Sequence, residues 1–305
     1  MARKKFGLAL GSGGAWGWAH IGVIDALAEM GIVPDIVAGT SMGAVVGAAY
    51  ASGRLDNLRE AALALGWRDV VGMIDVKLAT GGLVDGVKIE AFLTRLGITG
   101  PVEACPRPFG TVGTDLAGGE EVWLREGPIE KAVRGSIGIP GIFTPMRHGE
   151  GWLVDGGVVN PIPVSLCRAL GADTVIAVDV TQHMTVKRFL PRAGVDSLPS
   201  TKDLTNRLAE RIPLALRAPL SPLLTRLMRT TPSAPSYFSV ITDSLQIVYR
   251  QMIKTQLAKD PPDLLLHADL GPVQAMEFYR AKEAIDAGRA CAEAARDKLL
   301  RLRPR

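Results

Sequence analysis

Three short segments of the chain, 5–10, 36–38 and 174–180, are almost wholly apolar and do not alternate between apolar and polar residues. Strands of this kind are typical of a largely parallel sheet that is buried on both faces. The first two segments are each followed by a glycine-containing turn and then by a helical pattern, over about 15–30 and 42–52. This order of strand, turn and helix predicts an α/β protein with a mostly parallel central sheet and helices on its faces.

The composition suits such a sheet. Aromatic residues make up only 5% of the chain and hydrophobic residues 47%, so the core must be built mainly from Val, Ile, Leu and Ala. No apolar stretch approaches the roughly 20 residues of a membrane span, and the apolar run near the N-terminus ends at Gly11, too early for a signal peptide. We therefore expect a cytoplasmic protein, with peripheral contact at a membrane left open. The three cysteines form no CxxC pair and indicate neither a zinc site nor a disulfide framework.

The remaining elements are less regular. Residues 109–124 predict a hairpin whose strands are joined by Asp115–Gly119. We expect helices near 54–70, 88–96, 128–134, 162–170 and 237–258, strands at 152–155 and 263–269, and a terminal helix over 273–303 that is interrupted near Gly288. The pattern divides the chain into a core at 1–182, a basic, proline-containing excursion or lid at 183–236, and C-terminal elements at 237–305 that pack on the core.

The first chemical motif is the G-x-S-x-G pattern formed by Gly39, Ser41 and Gly43, between a predicted strand and a predicted helix. A serine nucleophile at such a turn needs a strained backbone, and the flanking glycines remove side chains that would collide there. The following helix directs its positive N-terminal end at the reacting oxygen. A turn where a helix packs closely on a sheet gives the same pattern, so the motif alone does not decide.

The second motif is the glycine loop that follows the first strand, with Gly11, Gly13 and Gly14. Consecutive glycines allow several backbone N–H groups to converge on one anion. The same loop could belong to a dinucleotide-binding fingerprint, G-x-G-x-x-G with an acid about 20 residues later. Here the sixth position is Trp16, and the acid, Asp35, precedes the second strand instead of ending it, so the nucleotide interpretation is weak.

The third motif is Asp155 at the end of a predicted strand, followed by Gly156 and Gly157. Asp-Gly is a common turn dipeptide, so this motif is informative only as a member of the set. Together the three motifs supply what acyl transfer requires: a nucleophile, a proton acceptor and donors for an oxyanion.

The order of these motifs resembles that of the bacterial patatin-like phospholipases. The resemblance covers nearly the whole chain, including residues 17–27, 34–44, 151–166, 168–180 and 260–266, and is weakest across 183–236. It implies a three-layer α/β/α patatin-like fold and hydrolysis of carboxylic esters, with phospholipid or lysophospholipid acyl chains as the expected substrates. It also implies that no metal or other cofactor is needed.

The resemblance assigns the site residues by position. Ser41 is the nucleophile and Asp155 its base, forming a dyad without histidine, and the backbone N–H groups of Gly13, Gly14 and Ala15 hold the oxyanion. Gly11, Gly17, Gly39, Gly43, Gly156 and Gly157 support these turns. The chain departs from the family pattern where the glycine loop usually carries an arginine.

That position is occupied by Trp16, whose indole has neither the charge nor the donors of a guanidinium. This substitution motivates an alternative function, a regulatory or scaffold protein on a weakly active or inactive fold of the same family. A second alternative is a Ser-His-Asp triad. His148 is the best candidate for its third member, whereas we expect His20 to be packed in the core and His183 and His267 to lie at the surface or at strand ends.

The net charge of +4 is uneven, because residues 187–229 hold nine Lys or Arg and three acids. This segment is interpreted either as a lid that approaches anionic lipid headgroups or as a solvated excursion. No aromatic residues are interleaved with these charges in the way that nucleic-acid binding would require. The expected partner is therefore a lipid or another ester substrate, and the oligomeric state stays undetermined.

Overall fold

The computed structural model describes residues 3–67, 69, 86–181, 237–271 and 273–302. The chain divides into two units, Met1–His183 with Val248–Arg305, and Met184–Ile247. The predicted excursion at 183–236, with its basic segment 187–229 and His183, lies outside the described residues. The sheet and the helices around it belong to the first unit, except that one helix begins at Tyr237 in the second.

The first unit is built around an eight-stranded sheet. Its strands are β1 (Phe6–Leu10), β2 (Ile36–Thr40), β3 (Phe109–Asp115), β4 (Glu121–Leu124), β5 (Met146–His148), β6 (Gly151–Asp155), β7 (Thr174–Asp179) and β8 (Leu264–His267). The pairs β1–β2, β1–β7, β2–β3 and β7–β8 are parallel, whereas β4 and β6 pair antiparallel with β3. The predicted mostly parallel sheet and the hairpin at 109–124 are confirmed.

Nine α-helices accompany the sheet in the described part of the chain. They are α1 (Ala19–Glu29), α2 (Met42–Ala51), α3 (Leu55–Ala64), α4 (Val87–Arg95), α5 (Ile129–Ser136), α6 (Val164–Ala169), α7 (Tyr237–Lys259), α8 (Ala281–Ala294) and α9 (Arg296–Leu302). Short 3₁₀ turns lie at Gly14–Trp18, Val102–Ala104, Gly156–Val158 and Phe278–Arg280. The first predicted helix therefore begins as a 3₁₀ turn and becomes α-helical only at Ala19.

The sheet is covered by helices on both faces. On one face, Ala9 and Ala38 are cross-strand neighbours and lie in one core cluster with Leu166 of α6 and Ile253 of α7. On the opposite face, a Cβ at Gly47 of α2 would contact side chains of β1, β2 and β3. Small residues on the strands allow α6 to approach closely, and this packing confirms the predicted α/β class with helices flanking the sheet.

Two details differ from the predicted elements. A strand that was not predicted, β5, includes His148 and forms a hairpin with β6. The terminal helix is continuous through Gly288 and breaks at Ala295 instead. Gly288 lies where α8 crosses α1, because a Cβ at that position would come 1.9 Å from the carbonyl oxygen of Ala19. This glycine allows two helices to pack closely and does not interrupt one.

None of the helices in the described ranges is long and apolar enough to cross a membrane. Within the same ranges, no group of three or more His, Cys, Asp or Glu side chains is arranged to hold a metal ion.

Candidate functional site

Ser41 occupies a strained turn between β2 and α2. Its φ is 56° and its ψ −120°, and among the residues that the structure describes it is the only non-glycine residue with a positive φ. Such a conformation costs on the order of 1–3 kcal/mol, and it persists only where the surrounding structure imposes it. This is the backbone geometry expected of a serine whose Oγ must project beyond the end of a sheet.

The neighbours of Ser41 explain how the turn is held. A Cβ at Gly39 would lie 2.3 Å from the carbonyl oxygen of Gly43, and a Cβ at Gly43 would lie 2.2 Å from that of Leu10. Both clashes are with backbone, so neither position tolerates a side chain without rearrangement. The N–H of Ser41 donates to Oγ of Ser136, at 2.9 Å, so that α5 holds the turn from the other side.

Strand pairing brings Asp155 to Ser41. Two successive residues of β3 each pair with two strands. Val112 pairs with Thr40 of β2 and with a residue of β4. Gly113 pairs with Asp155 of β6 and with the adjacent residue of β4. Each residue of β3 has only two edges, so β2 and β6 share one edge and β4 takes the other. The antiparallel strands β2 and β6 therefore end facing each other, and the residues at their ends, Ser41 and Asp155, meet across the joint.

The two side chains are hydrogen-bonded. Oγ of Ser41 donates to Oδ2 of Asp155 at 2.8 Å, and the N–H of Gly157 donates to Oδ1 at 2.8 Å. Asp155 is completely buried and Ser41 is 5% exposed. Two neighbours fix the position of Asp155 further. Oγ1 of Thr114 donates to the carbonyl oxygen of Asp155. At Gly156 the chain packs closely on β3, because a Cβ there would lie 2.1 Å from the carbonyl oxygen of Val112.

The environment of Asp155 suits a general base. Burial raises the pKa of its carboxyl group from 3.8 to about 6, although the hydrogen bonds from Ser41 and Gly157 and the neighbouring Tyr249 act in the opposite direction. A carboxylate with its pKa near the working pH can accept a proton and later return it. The pair can therefore activate a hydroxyl for attack on a carbonyl group.

The glycine loop lies at the end of β1, beside the nucleophile turn. The N–H of Gly11 donates to Val178 and that of Ser12 to Pro161. Within the described residues, no acceptor takes a hydrogen bond from the N–H of Gly13 or Gly14. Among the described residues of the loop, these two N–H groups are therefore available to bind an anion.

Ala15 was predicted as a third donor, but its N–H donates to the carbonyl oxygen of Ala275 at 2.8 Å. The same oxygen would lie 2.4 Å from a Cβ at Gly14, which has a φ of 57°. The segment around Ala275 thus packs directly on the loop, and in this conformation it engages the N–H that was expected to face the substrate.

Trp16 connects the loop to the same distant segment. Its indole is buried, and Nε1 donates to the carbonyl oxygen of Val273 at 2.7 Å. Nε1 of Trp18 donates to the carbonyl oxygen of Phe278 at 3.1 Å, and the two rings pack edge to face. Although Trp16 lacks the charge of the arginine usual in the family pattern, its N–H holds the loop.

None of the described histidines forms a hydrogen bond with Ser41 or Asp155. His20 is completely buried, its Nε2–H donates to the carbonyl oxygen of Gly11 at 2.8 Å, and burial lowers its pKa to about 4. His148 is exposed at the far end of the β5–β6 hairpin, about 13 Å from Asp155 along the strand. His267 ends β8, which is three strands from β2 in the sheet, a separation of about 14 Å. His183 lies outside the described residues, and none of the other three supports a triad.

Two further acids have structural partners. Asp179 is buried at the end of β7, and its Oδ2 lies 3.3 Å from Nδ1 of His267. Asp35 accepts a hydrogen bond from the N–H of Phe6 at 2.9 Å and pairs with Arg3. It lies before β2, at the opposite end of the strand from the glycine loop, which weakens the dinucleotide interpretation further.

Three contributors to the site were not predicted: Thr114, Ser136 and Tyr249. A Cβ at Gly157 would lie 3.0 Å from ring atoms of Tyr249, so this ring packs against the turn that carries Asp155. Each of the three comes from a segment without a recognisable motif. The one available signal is that Thr114 belongs to a segment, FGTVGTD, in which a Gly-Thr pair occurs twice.

Several known proteins are similar to this chain over much of its length. A family model described as patatin-like phospholipase matches residues 8–168, a range that contains the glycine loop, Ser41 and Asp155. An uncharacterized NTE family protein of Mycobacterium bovis is 32% identical over 326 residues, covering 94% of this chain and 90% of that protein. Patatin-like phospholipase domain-containing protein 6 of Mus musculus is 30% identical over 226 residues, covering 66% of this chain and 16% of that protein. Among solved structures, VipD from Legionella pneumophila aligns over 97% of this chain and 67% of that chain, with 15% identity and a TM-score of 0.45.

Proposed function

The chain belongs to the patatin-like phospholipase family, and on this premise we propose that it hydrolyses lipid acyl esters with Ser41 as nucleophile and Asp155 as general base. The observation that carries the proposal is the 2.8 Å hydrogen bond from the hydroxyl of a strained serine to a fully buried carboxylate. A structural serine needs neither the strain nor an ionisable partner.

In the acylation step, Oγ of Ser41 attacks the ester carbonyl carbon while its proton passes to Oδ2 of Asp155. The tetrahedral intermediate then collapses, the bond to the alcohol breaks, and Asp155 returns the proton to the leaving oxygen. In deacylation, Asp155 takes a proton from water, whose oxygen attacks the carbonyl carbon of the acyl-enzyme. The bond to Oγ of Ser41 then breaks, Asp155 returns the proton to Oγ, and the fatty acid leaves. The raised pKa of Asp155, about 6, supports both roles because the carboxylate is ionised at neutral pH and is still basic enough to accept a proton.

We assign the oxyanion donors to the N–H groups of Gly13 and Gly14. Ala15 is left out, because its N–H already donates to Ala275. The N-terminus of α2, which begins at Met42, adds a positive dipole end beside the reacting oxygen. Loss of one such donor typically lowers the rate about 10²–10³-fold.

The substrate class rests on the family and on the surroundings of the base. The N–H of Asp155 donates to the carbonyl oxygen of Gly138 at 2.9 Å, so the loop that follows α5 lies beside the site. Ile139, Ile142 and Phe143 of this loop are half-buried. We propose that they line the entrance for an acyl chain and that phospholipids or lysophospholipids are the substrates. The proposed chemistry uses no metal or cofactor.

The proposal is tested by turnover of p-nitrophenyl esters of increasing chain length and of a lysophospholipid. We expect Ser41→Ala and Asp155→Asn each to lower kcat/KM by at least about 10³-fold while the protein stays folded. Asparagine can still accept the hydrogen bond of Ser41, but it cannot take its proton.

Matched control variants are available at positions outside the Ser41–Asp155 pair. Ser52→Ala removes a serine at the other end of α2, where the hydroxyl donates to Ala48, and Asp173→Asn removes an exposed acid at the opposite end of the sheet. Both controls should keep wild-type turnover. Full activity in folded Ser41→Ala or Asp155→Asn would overturn the proposal.

The alternative of a regulatory or scaffold protein rested on Trp16. The hydrogen bond from its indole to Val273 supplies a support for the glycine loop, so the substitution does not by itself argue for an inactive site. A fluorophosphonate probe separates the two functions. A hydrolase is labelled at Ser41 in the native state and loses the label in Ser41→Ala, whereas a scaffold leaves Ser41 unlabelled.

A further inference from the structure

The C-terminal half of α7 presents one face to the turn that carries Asp155. Tyr249, Ile253 and Gln256 lie four and then three residues apart, which places them on one side of a helix. Nε2 of Gln256 donates to the carbonyl oxygen of Val159 at 2.9 Å, just beyond the turn. Ile253 is buried in the core cluster beneath it. The ring of Tyr249 therefore contacts Gly157 from a helix that is fixed at two further points.

The hydroxyl of Tyr249 has no structural role that would explain its burial. The residue is 9% exposed, and its hydroxyl makes no hydrogen bond of ordinary geometry with any described residue. A phenylalanine would fill the same volume without the expense of burying a polar group. Yet a Cβ built at Gly157 would lie 2.9 Å from Oδ1 of Asp155 and 3.0 Å from Cζ of Tyr249, so the phenol lies beside the carboxyl group.

We propose that Tyr249 is a positioning residue for the general base, whose phenol O–H faces the Asp155 carboxylate and stabilises its ionised form until Ser41 transfers its proton. The inference rests on the function proposed above. A phenol suits this task because it donates a hydrogen bond without adding charge. Burial and the negative charge of Asp155 keep the pKa of Tyr249 well above its usual range, so the donor stays protonated.

Tyr249 counteracts the effect of burial on Asp155. Burial raises the pKa of Asp155, whereas Ser41, the N–H of Gly157 and Tyr249 lower it. No charged side chain within the described ranges contributes to this balance. Loss of the phenol O–H should therefore raise the pKa of the base and leave less of it ionised in mildly acidic solution.

The test compares Tyr249→Phe with Tyr50→Phe. Tyr50 is also 9% exposed, but its hydroxyl donates to the carbonyl oxygen of Pro34 at 3.3 Å, at the opposite end of α2 from Ser41. We expect the acidic limb of the kcat/KM profile of Tyr249→Phe to move upward by about half a pH unit to one unit, the size expected for losing one hydrogen-bonding group near a carboxylate. The loss should be about three- to tenfold below the limb and small near pH 8. Tyr50→Phe should follow the wild-type profile.

Two outcomes would overturn the inference. One is a Tyr249→Phe profile that superimposes on the wild type, and the other is an equal loss at every pH, which would indicate a packing role alone. A second measurement does not depend on turnover: the titration of the Asp155 carboxyl carbon by ¹³C NMR, assigned with Asp155→Asn. If wild-type protein hydrolyses no ester but the Asp155 titration moves upward in Tyr249→Phe, the proposed function fails and the contact between the two groups stands. If wild-type protein is active and the titration does not move, only the role of Tyr249 fails.

Discussion

Asp155 and Asp179 occupy nearly equivalent positions, yet their carboxyl groups behave in opposite ways. Each ends a strand, each is buried, and each accepts at Oδ1 a 2.8 Å hydrogen bond from the N–H two residues later, that of Gly157 or Thr181. The pKa of Asp155 is raised to about 6, whereas the pKa of Asp179 is lowered. Burial at a strand end therefore does not decide which acid can serve as a base.

The remaining partners explain the difference. Burial raises the pKa of both acids, but Asp179 also has His267 at 3.3 Å and accepts from Oγ1 of Thr181 at 2.6 Å, and these groups outweigh burial. Asp155 has only neutral donors, and one of them is the hydroxyl of Ser41. Asp179, which also faces a histidine, is held as a carboxylate, whereas Asp155, whose partners are all neutral, keeps the basicity needed to take a proton from Ser41.

The first test removes the charge of Asp179. We expect Asp179→Asn to lower the free energy of unfolding near neutral pH by about 2–4 kcal/mol, because the buried donors of Thr181 and the ring of His267 lose a charged acceptor. Urea denaturation measures this loss. Turnover should stay within about threefold of wild type, since a change that spares the reacting groups spares transition-state stabilisation. A collapse of turnover as deep as that of Asp155→Asn would mean that the two acids do not differ in role.

The second test uses the dependence of stability on pH. The pKa of Asp155 is higher in the folded protein than its ordinary value of 3.8. The protonated acid therefore stabilises the fold; this contribution is complete below about pH 4 and is lost as pH rises through about 6. Asp155→Asn lacks the effect, so its stability relative to wild type should rise by about 2–3 kcal/mol between about pH 4 and about pH 8.

The stability of Asp179→Asn relative to wild type should depend on pH in the opposite direction. The folded-state pKa of Asp179 is lowered, so its stabilising contribution is present above its ordinary pKa and is lost as pH falls. The difference between Asp179→Asn and wild type should shrink toward acidic pH. Parallel stability curves for the two variants would contradict the opposite ionisation of the two acids.

The third test concerns Ser136, which holds the turn of Ser41, the serine beside Asp155. Ser136→Ala leaves the buried N–H of Ser41 without its acceptor, which should destabilise the protein by about 1–2 kcal/mol. The strained turn can then relax, and we expect kcat to fall roughly tenfold with little change in KM, since an error in positioning the nucleophile acts on the chemical step. Ser52→Ala, whose hydroxyl donates within α2, is the control. Unchanged kcat would show that the glycines alone hold the turn.

The sequence predicted those parts of the site that are specified locally. The apolar segments fix β1, β2 and β7, and Gly39 and Gly43 mark a turn where no side chain fits. Such features depend on residues a few positions apart, which a pattern can record. Asp155 was predicted through its motif and not through any signal of its ionisation.

The features that the sequence did not predict depend on distant segments. Nothing near Asp179 in the sequence shows that His267 will pair with it, because β7 and β8 become neighbours only in the sheet. Tyr249 and Ser136 likewise reach the site from helices without a motif. The engagement of Ala15 by Ala275 joins residues 260 positions apart and could not be predicted from the glycine loop alone.

The smallest expected effect concerns the glycine loop at the end of β1. In the sheet, β1 lies between β7, which carries Asp179, and β2, whose end faces the end of β6 with Asp155. Trp16→Phe keeps a ring in the pocket but removes the N–H that donates to Val273, so we expect a loss of stability of about 1 kcal/mol and a fall in kcat of roughly two- to fivefold. Trp123→Phe is the control, because that indole is 38% exposed and donates to Glu121 at the surface. Urea denaturation and ester turnover measure both variants. Wild-type stability in Trp16→Phe would show that the indole fills space without holding the loop. A fall in kcat of more than a hundredfold would show that Trp16 acts in the reaction together with Ser41 and Asp155, and not only as a support for the loop.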